Sequence, residues 1–429
     1  MNIRTLIYRE GLLINMDEKN NLNWRSSNIE ETIKKLKKNY KKFGITRVAN
    51  VTGLDHIGIP IYSAIRPNSK TIVSSAGKGL NNDQSLISAV MEAIETEVAE
   101  NLDKKFVKFC AWRDLNKKQR IPLHLIPKKN GSILKEETLI SWTLCKSVGN
   151  SKKVFLPSSL IAMSPDYCYE QFMVTLMGSN GLASGLSFND AFLSGLYELI
   201  ERDAIKCWGY GIKFRKLMKA YIREETIPYT TSQNLLRKIS DAGMSVYISE
   251  ITTDINIPVF KCQIGGDIDN AVSFCEGYGC HHNPEIALNR ALTEAVQART
   301  IMIAGSRDDF TEKIISKSKH MFKKFAEESK KVMREDFNQF RQFNQKNKLF
   351  FDSSNAIKDI LKIFSKLKID NLYYFEFENS KPFKVVKLNC LDLVTYIPGN
   401  TNSSFVSHSR YKSFIPRIFG IRKVIFDLN

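Results

Sequence analysis

Residues 77–95 read GKGLNNDQSLISAVMEAIE: two glycines around a lysine, a polar segment of Asn and Asp, then an amphipathic helix carrying Glu92 and Glu95. The same order returns twice. Residues 179–202 read SNGLASGLSFNDAFLSGLYELIER, with Glu198 and Glu201 followed by Arg202. Residues 277–299 read GYGCHHNPEIALNRALTEAVQAR, with Glu294, Gln297 and Arg299. From the last glycine to the first Glu the steps are 13, 13 and 15 residues. Recurrence at matched spacing marks one supersecondary unit used three times. Asp83, Asn189 and Asn283 are placed to cap the three helices, with Pro284 in a first-turn position.

Residues three apart on a helix share a face, their Cβ atoms ~5–6 Å apart. Each E-x-x-E therefore directs two carboxylates to one spot, which suits a hard cation such as Mg²⁺ held between protein and phosphate oxygens. The glycine turns offer backbone N–H groups and helix N-termini to anions. Lys78 adds a point charge for a phosphate. Together these parts describe a magnesium–nucleotide site assembled from helix faces, and no G-x-x-x-x-G-K-[ST] loop is present. A single E-x-x-E is ordinarily a solvated face, because like charges there cost only ~0.2–0.5 kcal/mol. What singles these pairs out is their recurrence. Phe192, Leu196, Leu199 and Ile200 mark the core side of the second helix.

Around these units the 429-residue chain has an ordinary globular balance, 43% hydrophobic and 25% charged, which excludes disorder, collagen and coiled coil. Helical periodicity covers 29–43, 85–102, 188–208, 233–242, 284–303, 308–345 and 355–367. Short β-type runs fill 44–78, 139–148, 154–157, 245–252, 257–264, 271–276, 372–377 and 384–388. Interspersed elements predict a mixed α/β protein with one extended core. No run approaches the ~18 apolar residues of a membrane span, and Arg4, Arg9 and Glu10 interrupt any N-terminal signal core. Eight cysteines without CxxC spacing read as reduced thiols of a cytoplasmic protein. The net charge of +18 sits mostly on lysines in helical runs such as 32–42 and 313–331. These read as solvated faces able to attract an acidic peptide or polyphosphate. Without an RNP, KH or finger motif, nucleic acid is not expected. Cys280-His281-His282 lacks a fourth ligand at metal spacing and reads as a turn and cap.

The three helix motifs resemble those of the YcaO family, ATP-dependent enzymes that activate backbone amides of peptides. Ser88, Glu92 and Glu95 match its S-x-x-x-E-x-x-E. Ser179, Asn180, Gly181, Ala183, Glu198, Glu201, Arg202 and Asp203 match its S-N-G-x-A…E-x-x-E-R-D block. Glu294, Gln297 and Arg299, followed by Arg307, Asp308 and Asp309, match the third motif, and residues 44–79 are similar to the start of the stand-alone branch. The resemblance implies an α/β fold, a single large module with pseudo-symmetric α/β lobes around a central ATP cleft. Its parts are a leader and helix (1–43), a catalytic core (44–310), a Lys-rich helical insertion or lid (311–345) and a C-terminal α/β part of the same module (346–429).

The resemblance further implies ATP and Mg²⁺ as cofactors. Glu92, Glu95, Glu198 and Glu201 become the Mg²⁺ ligands, Lys78, Ser88, Asn180 and Arg202 contact phosphates or ribose, and Glu294, Gln297 and Arg299 form a third wall. The implied reaction is O-phosphorylation of a peptide backbone amide, giving an azoline from Cys, Ser or Thr or a thioamide with external sulfide. Implied partners are a substrate peptide, acidic in view of the chain's charge, a leader-binding or sulfur-delivering protein, and a second copy of the chain. Thr96 stands where the family's first motif has Arg, residues 381–393 read KPFKVVKLNCLDL, and the chain ends without a Pro-rich tail. The missing tail turns the expectation toward the thioamide or another branch. The same departures leave a second reading, a non-catalytic scaffold that binds a leader peptide or a partner.

Overall fold

The computed structural model describes residues 29–128, 132–149, 152–164, 177–210, 221–266, 273–306 and 352–394, with residues 320, 340, 341, 343, 350 and 410. Arg307, Asp308 and Asp309, the stretch 1–28 and most of 311–345 lie outside the described residues. Along the chain run α1 (Ile29–Asn39), β1 (Arg47–Asn50), β2 (Ile61–Ile65), β3 (Ser74–Lys78), α2 (Asn82–Glu100), β4 (Val107–Ala111), β5 (Leu139–Ser147) and β6 (Lys153–Pro157). Then come β7 (Leu182–Gly185), α3 (Phe188–Tyr210), β8 (Tyr221–Ile222), α4 (Thr230–Asp241), β9 (Ser245–Glu250), β10 (Val259–Gly265), β11 (Phe274–Cys280) and α5 (Pro284–Ala304). β12 (Phe340–Arg341), α6 (Ser353–Leu367), β13 (Leu372–Glu376) and β14 (Lys384–Cys390) follow.

The strands form three sheets, ordered β1-β2-β3, β11-β10-β9-β8-β12 and β4-β5-β13-β14-β7, with β6 on β5. Neighbours are antiparallel except β8 and β12. Each repeated unit is the strand at one end of a sheet, β3, β7 or β11, turning directly into α2, α3 or α5. The units close on one another. Besides its own strand, α2 packs on β7, α3 on β11, and α5 on β3.

The glycines of the repeat therefore do a different job from the one their spacing suggests. Gly77 and Gly279 lie within or at the edge of strands and let a helix press on them. A Cβ on Gly77 would meet Ala89 N at 2.1 Å, and one on Gly279 would meet Ala287 O at 2.0 Å. Asn283 caps α5 as expected, its Oδ1 accepting from Glu285 N at 2.8 Å. α2 is capped by Asn81, which accepts from Gln84 N at 2.9 Å, so Asp83 falls inside the first turn. At α3 the Ser187 hydroxyl accepts from Asp190 N at 3.1 Å, and Asn189 is likewise inside. In both cases the chain starts its helix earlier, at a residue whose short side chain reaches the free amides.

Instead of one extended core, the buried apolar side chains gather in three main clusters, one per unit. Ile87, Val90 and Ile94 of α2 centre the first, Leu196 and Ile200 of α3 the second, and Leu288, Leu292 and Val296 of α5 the third. A helix hydrophobic on two sides, like these three, needs apolar partners on two sheets. No helix among the described residues is long and apolar enough to cross a membrane.

Candidate functional site

The closed arrangement of units aims the second half of each helix at a common region. α2 contributes Glu92 and Glu95, α3 contributes Glu198, Glu201 and Arg202, and α5 contributes Glu294, while Lys78 enters from the end of β3. The contacts cross between units. Lys78 Nζ pairs with the Glu294 carboxylate. The Ser184 hydroxyl of β7 donates to Glu95 at 2.6 Å, and Gln297 of α5 donates to the Ala76 carbonyl of β3 at 2.6 Å. Glu198 accepts from the Gly181 N–H at 3.1 Å, and Arg202 lies 3.4 Å from Glu198 and 3.3 Å from Glu201.

Charge crowding marks the region. Burial pushes the Glu95 carboxyl up to about 8, against the Ser184 hydrogen bond, with Glu92 and Glu198 adding repulsion. Burial likewise raises Glu201 to about 7; Arg202 and Lys78 oppose that rise, while Glu294 and Glu198 reinforce it. Burial works against the Arg202 charge, yet the carboxylates of Glu201, Glu198 and Glu294 outweigh it and hold the guanidinium protonated. Five carboxylates thus face two directly paired cations, Lys78 and Arg202. Burial is the first cause of both rises, and the carboxylate repulsion that adds to it leaves the site short of positive charge.

A hard divalent cation fits that deficit, since every available donor is an oxygen. Among the described residues no three carboxylate, histidine or cysteine side chains stand close enough to hold a metal by themselves. Phosphate oxygens of a bound ligand would complete the shell, which is how Mg²⁺ is ordinarily held.

The other expected residues fall on either side of this cluster. Ser88 is half-buried one helical turn before Glu92, and Asn180 precedes Gly181 in the turn before β7. Arg299 is drawn elsewhere: it pairs with Asp55 at 3.0 Å, both side chains 1% exposed, and ties α5 to the segment ahead of β2. Thr96 turns its hydroxyl back to the Glu92 carbonyl at 3.0 Å and adds no charge. His281 accepts from the Asn283 N–H at 3.0 Å, and His282 lies 2.6 Å from the Tyr197 hydroxyl and 3.2 Å from Asp359, so these histidines serve the turn and its packing.

Sequence reasoning missed Ser184, Lys387 and Asp55. Ser184 sits inside a quoted motif, two residues from Leu182 on the same strand face. Lys387 is the one fully buried cation of β14, whose other lysine, Lys384, opens the strand half-buried; 2% exposed, Lys387 donates from Nζ to the Gly178 carbonyl. Burial pushes its amine down to about 8, an effect the Glu198 charge partly offsets. Nothing in the local sequence marks Asp55.

Residues 76–390 match the family model described as YcaO cyclodehydratase, ATP- and Mg²⁺-binding. An uncharacterized protein from the tfuA 3′ region of Rhizobium leguminosarum bv. trifolii is 34% identical over 306 residues, covering 66% of this chain and 68% of that protein. Two solved structures share the fold. A heterocyclase in complex with substrate and cofactor superposes with a TM-score of 0.65 at 17% identity, over 87% of this chain and 53% of its own, so the chain spans about half of that protein. YcaO from Methanopyrus kandleri bound with AMPPCP and Mg²⁺ superposes with a TM-score of 0.63 at 15% identity, over 87% of this chain and 96% of its own.

Proposed function

We propose, from the premise that this chain belongs to the YcaO family, that it uses ATP and Mg²⁺ to activate a backbone amide of a peptide. The observation that carries this reading is the convergence of Glu92, Glu95, Glu198, Glu201 and Glu294 from three helices around Lys78 and Arg202. An amide oxygen is a poor leaving group until it becomes a phosphate ester. In the proposed reaction the amide oxygen attacks the γ-phosphorus of ATP and ADP departs. A nucleophile then adds to the amide carbon, and phosphate leaves with the original oxygen. A Cys, Ser or Thr side chain as nucleophile gives an azoline; sulfide gives a thioamide.

Bound Mg²⁺ would neutralise the phosphate charge and keep the reacting groups in line. Glu92, Glu95, Glu198 and Glu201 would supply its protein ligands, no more than two to one ion, with phosphate oxygens completing the shell. Lys78, drawn off Glu294, and Arg202, drawn off Glu198 and Glu201, supply the cationic side to the phosphates. Ser88 and Asn180 would contact phosphates or ribose. Gln297 steadies the third unit through the Ala76 carbonyl, and Arg299 acts on α5 from behind through Asp55. A scaffold that merely bound a leader peptide would have no use for carboxyls forced up to about 7 and about 8, an arrangement that costs stability. The proposed partners are a peptide, acidic to suit the +18 chain, a leader-binding or sulfur-delivering protein, and a second copy of the chain. The proposed compartment is the cytoplasm, in keeping with seven free cysteines among the described residues.

Glu198→Gln tests the assignment. ATP turnover falls by roughly 100-fold or more with the thermal transition in place, the upper range for losing a metal-site group; unchanged turnover refutes it. Mass spectrometry of peptides co-expressed with the chain then separates the products, loss of one water for an azoline against exchange of oxygen for sulfur for a thioamide.

A further inference from the structure

Lys387 stands where β14 should be apolar. Its cross-strand partners are Leu182 on β7 and Phe375 on β13, and Val385, two residues before it on the same face, is 0% exposed. Among the described residues the amine makes no ion pair; its hydrogen-bond acceptor is the neutral Gly178 carbonyl. A buried ammonium whose hydrogen-bond acceptor is a neutral carbonyl, its burial only partly offset by the Glu198 charge, is costlier to the fold than an apolar side chain of similar volume. The next residue grips the other end of the same turn: Leu388 N–H donates to the Gly181 carbonyl at 2.8 Å. Gly181 itself has φ +78, and a Cβ there would meet Leu388 O at 2.3 Å, so the turn lies flat on β14 only because this residue is glycine. Between the two grips the turn presents Asn180 and directs the Gly181 N–H to Glu198 at 3.1 Å.

We propose that Lys387 is a positioning residue: by holding Gly178 it locks the 178–181 turn, and through the Gly181 N–H it fixes the Glu198 carboxylate for its cation. The inference rests on the reading of the site given above. With the Gly178 end released, the turn keeps its bond to Leu388 but is no longer fixed on β14 at both ends, and the Gly181 N–H that orients Glu198 loses its set direction. Partners that orient metal ligands from behind are worth about 10–100-fold in metal affinity.

The experiment uses the full chain and Lys387→Met, with Lys387→Gln as the second variant should the first fail to fold. In the variant, amide hydrogen exchange at Gly181 and Leu182 accelerates, and Mg²⁺ titrated with a non-hydrolysable ATP analogue binds about 10-fold or more weakly. The thermal midpoint of Lys387→Met stays level or rises, since a desolvated charge has gone, which a merely structural lysine would not allow. Unchanged exchange at Gly181, or unchanged Mg²⁺ affinity with exchange accelerated, overturns the inference. A wild-type chain that binds no Mg²⁺–nucleotide overturns the functional reading and this role with it, and is recognised before any substitution is made.

Discussion

Glu95 is where the chemistry of the site is written on a single residue. Its carboxyl has an ordinary value of 4.5 and is pushed up to about 8 in the folded chain, first by burial and then by Glu92 and Glu198. A folded-state value above the unfolded one means that the native chain binds the proton more tightly. That contribution to stability is complete below 4.5 and is lost as pH climbs through about 8. The ligand-free protein therefore melts progressively lower between about pH 5 and about pH 9, and Glu95→Gln, which cannot ionise, flattens the decline. At about pH 9 the variant exceeds wild type by on the order of 2 kcal/mol, less than the whole shift because Glu95 keeps some contact with water. Melting curves of both proteins across that range decide it, and parallel slopes would mean that Glu95 is ionised throughout. Saturating Mg²⁺ with nucleotide removes the difference in slope, because a cation replaces the proton. This residue was legible in the sequence, as were Glu92, Glu198, Glu201 and Glu294, because spacing on a helix translates directly into a shared face. Lys387 and Asp55 were not, because their roles depend on strands and segments far away in the chain that no local pattern connects.

At the scale of elements, several helices follow closely from their periodicity: 284–303 was expected where α5 spans Pro284–Ala304, and 355–367 where α6 spans Ser353–Leu367. Apolar repeats over four or five turns leave little else for such segments to be. The helix expected over 308–345, by contrast, does not hold at Phe340–Arg341, which form β12 beside β8. The glycines before the helices were read as anion-binding turns, and here the sequence has two physical meanings with one spelling. A glycine that exposes its N–H and one that admits a helix backbone look alike until the partner is known. The structure chooses the second for Gly77, Gly277 and Gly279. Gly279→Ala tests that choice. Its Cβ would stand 2.0 Å from Ala287 O and 2.7 Å from Ala291 N, and helix backbone does not yield as a flexible side chain would. A loss of about 3 kcal/mol or more in urea unfolding is expected, at the upper end of overpacking. Gly53→Ala, where nothing lies within 4 Å, serves as the near-neutral control. Equal losses in the two variants would return Gly279 to the anion-binding role.

The molecule as a whole is held by the way its three units interlock. Because α2 rests on β3 and β7, α3 on β7 and β11, and α5 on β11 and β3, each helix is shared by two sheets. The polar contacts repeat the circuit, with Ser184 of β7 on Glu95 of α2 and Lys78 of β3 on Glu294 of α5. Three matched stretches of sequence reveal that the unit recurs, but not that its copies close into a circuit, which depends on strands from three different sheets. Closure has a consequence for binding. A ligand that neutralises Glu92, Glu95, Glu198, Glu201 and Glu294 relieves repulsion between helices as well as within them, so its stabilising effect spreads over every unit. With [L] at about 100 Kd the linkage is worth ≈ 2.7 kcal/mol, enough to slow the opening of any segment whose exchange requires separating the helices. Adding Mg²⁺ with a non-hydrolysable ATP analogue should therefore slow amide exchange in the central turns of α2, α3 and α5 together, and Mg²⁺ or nucleotide alone should protect them less. Protection confined to α3 would show that the E-x-x-E pair of that helix binds by itself and that the carboxylates of α2 and α5 only stand nearby. Protection of all three makes the circuit the binding site, and explains why one short pattern is spelled out three times in one chain.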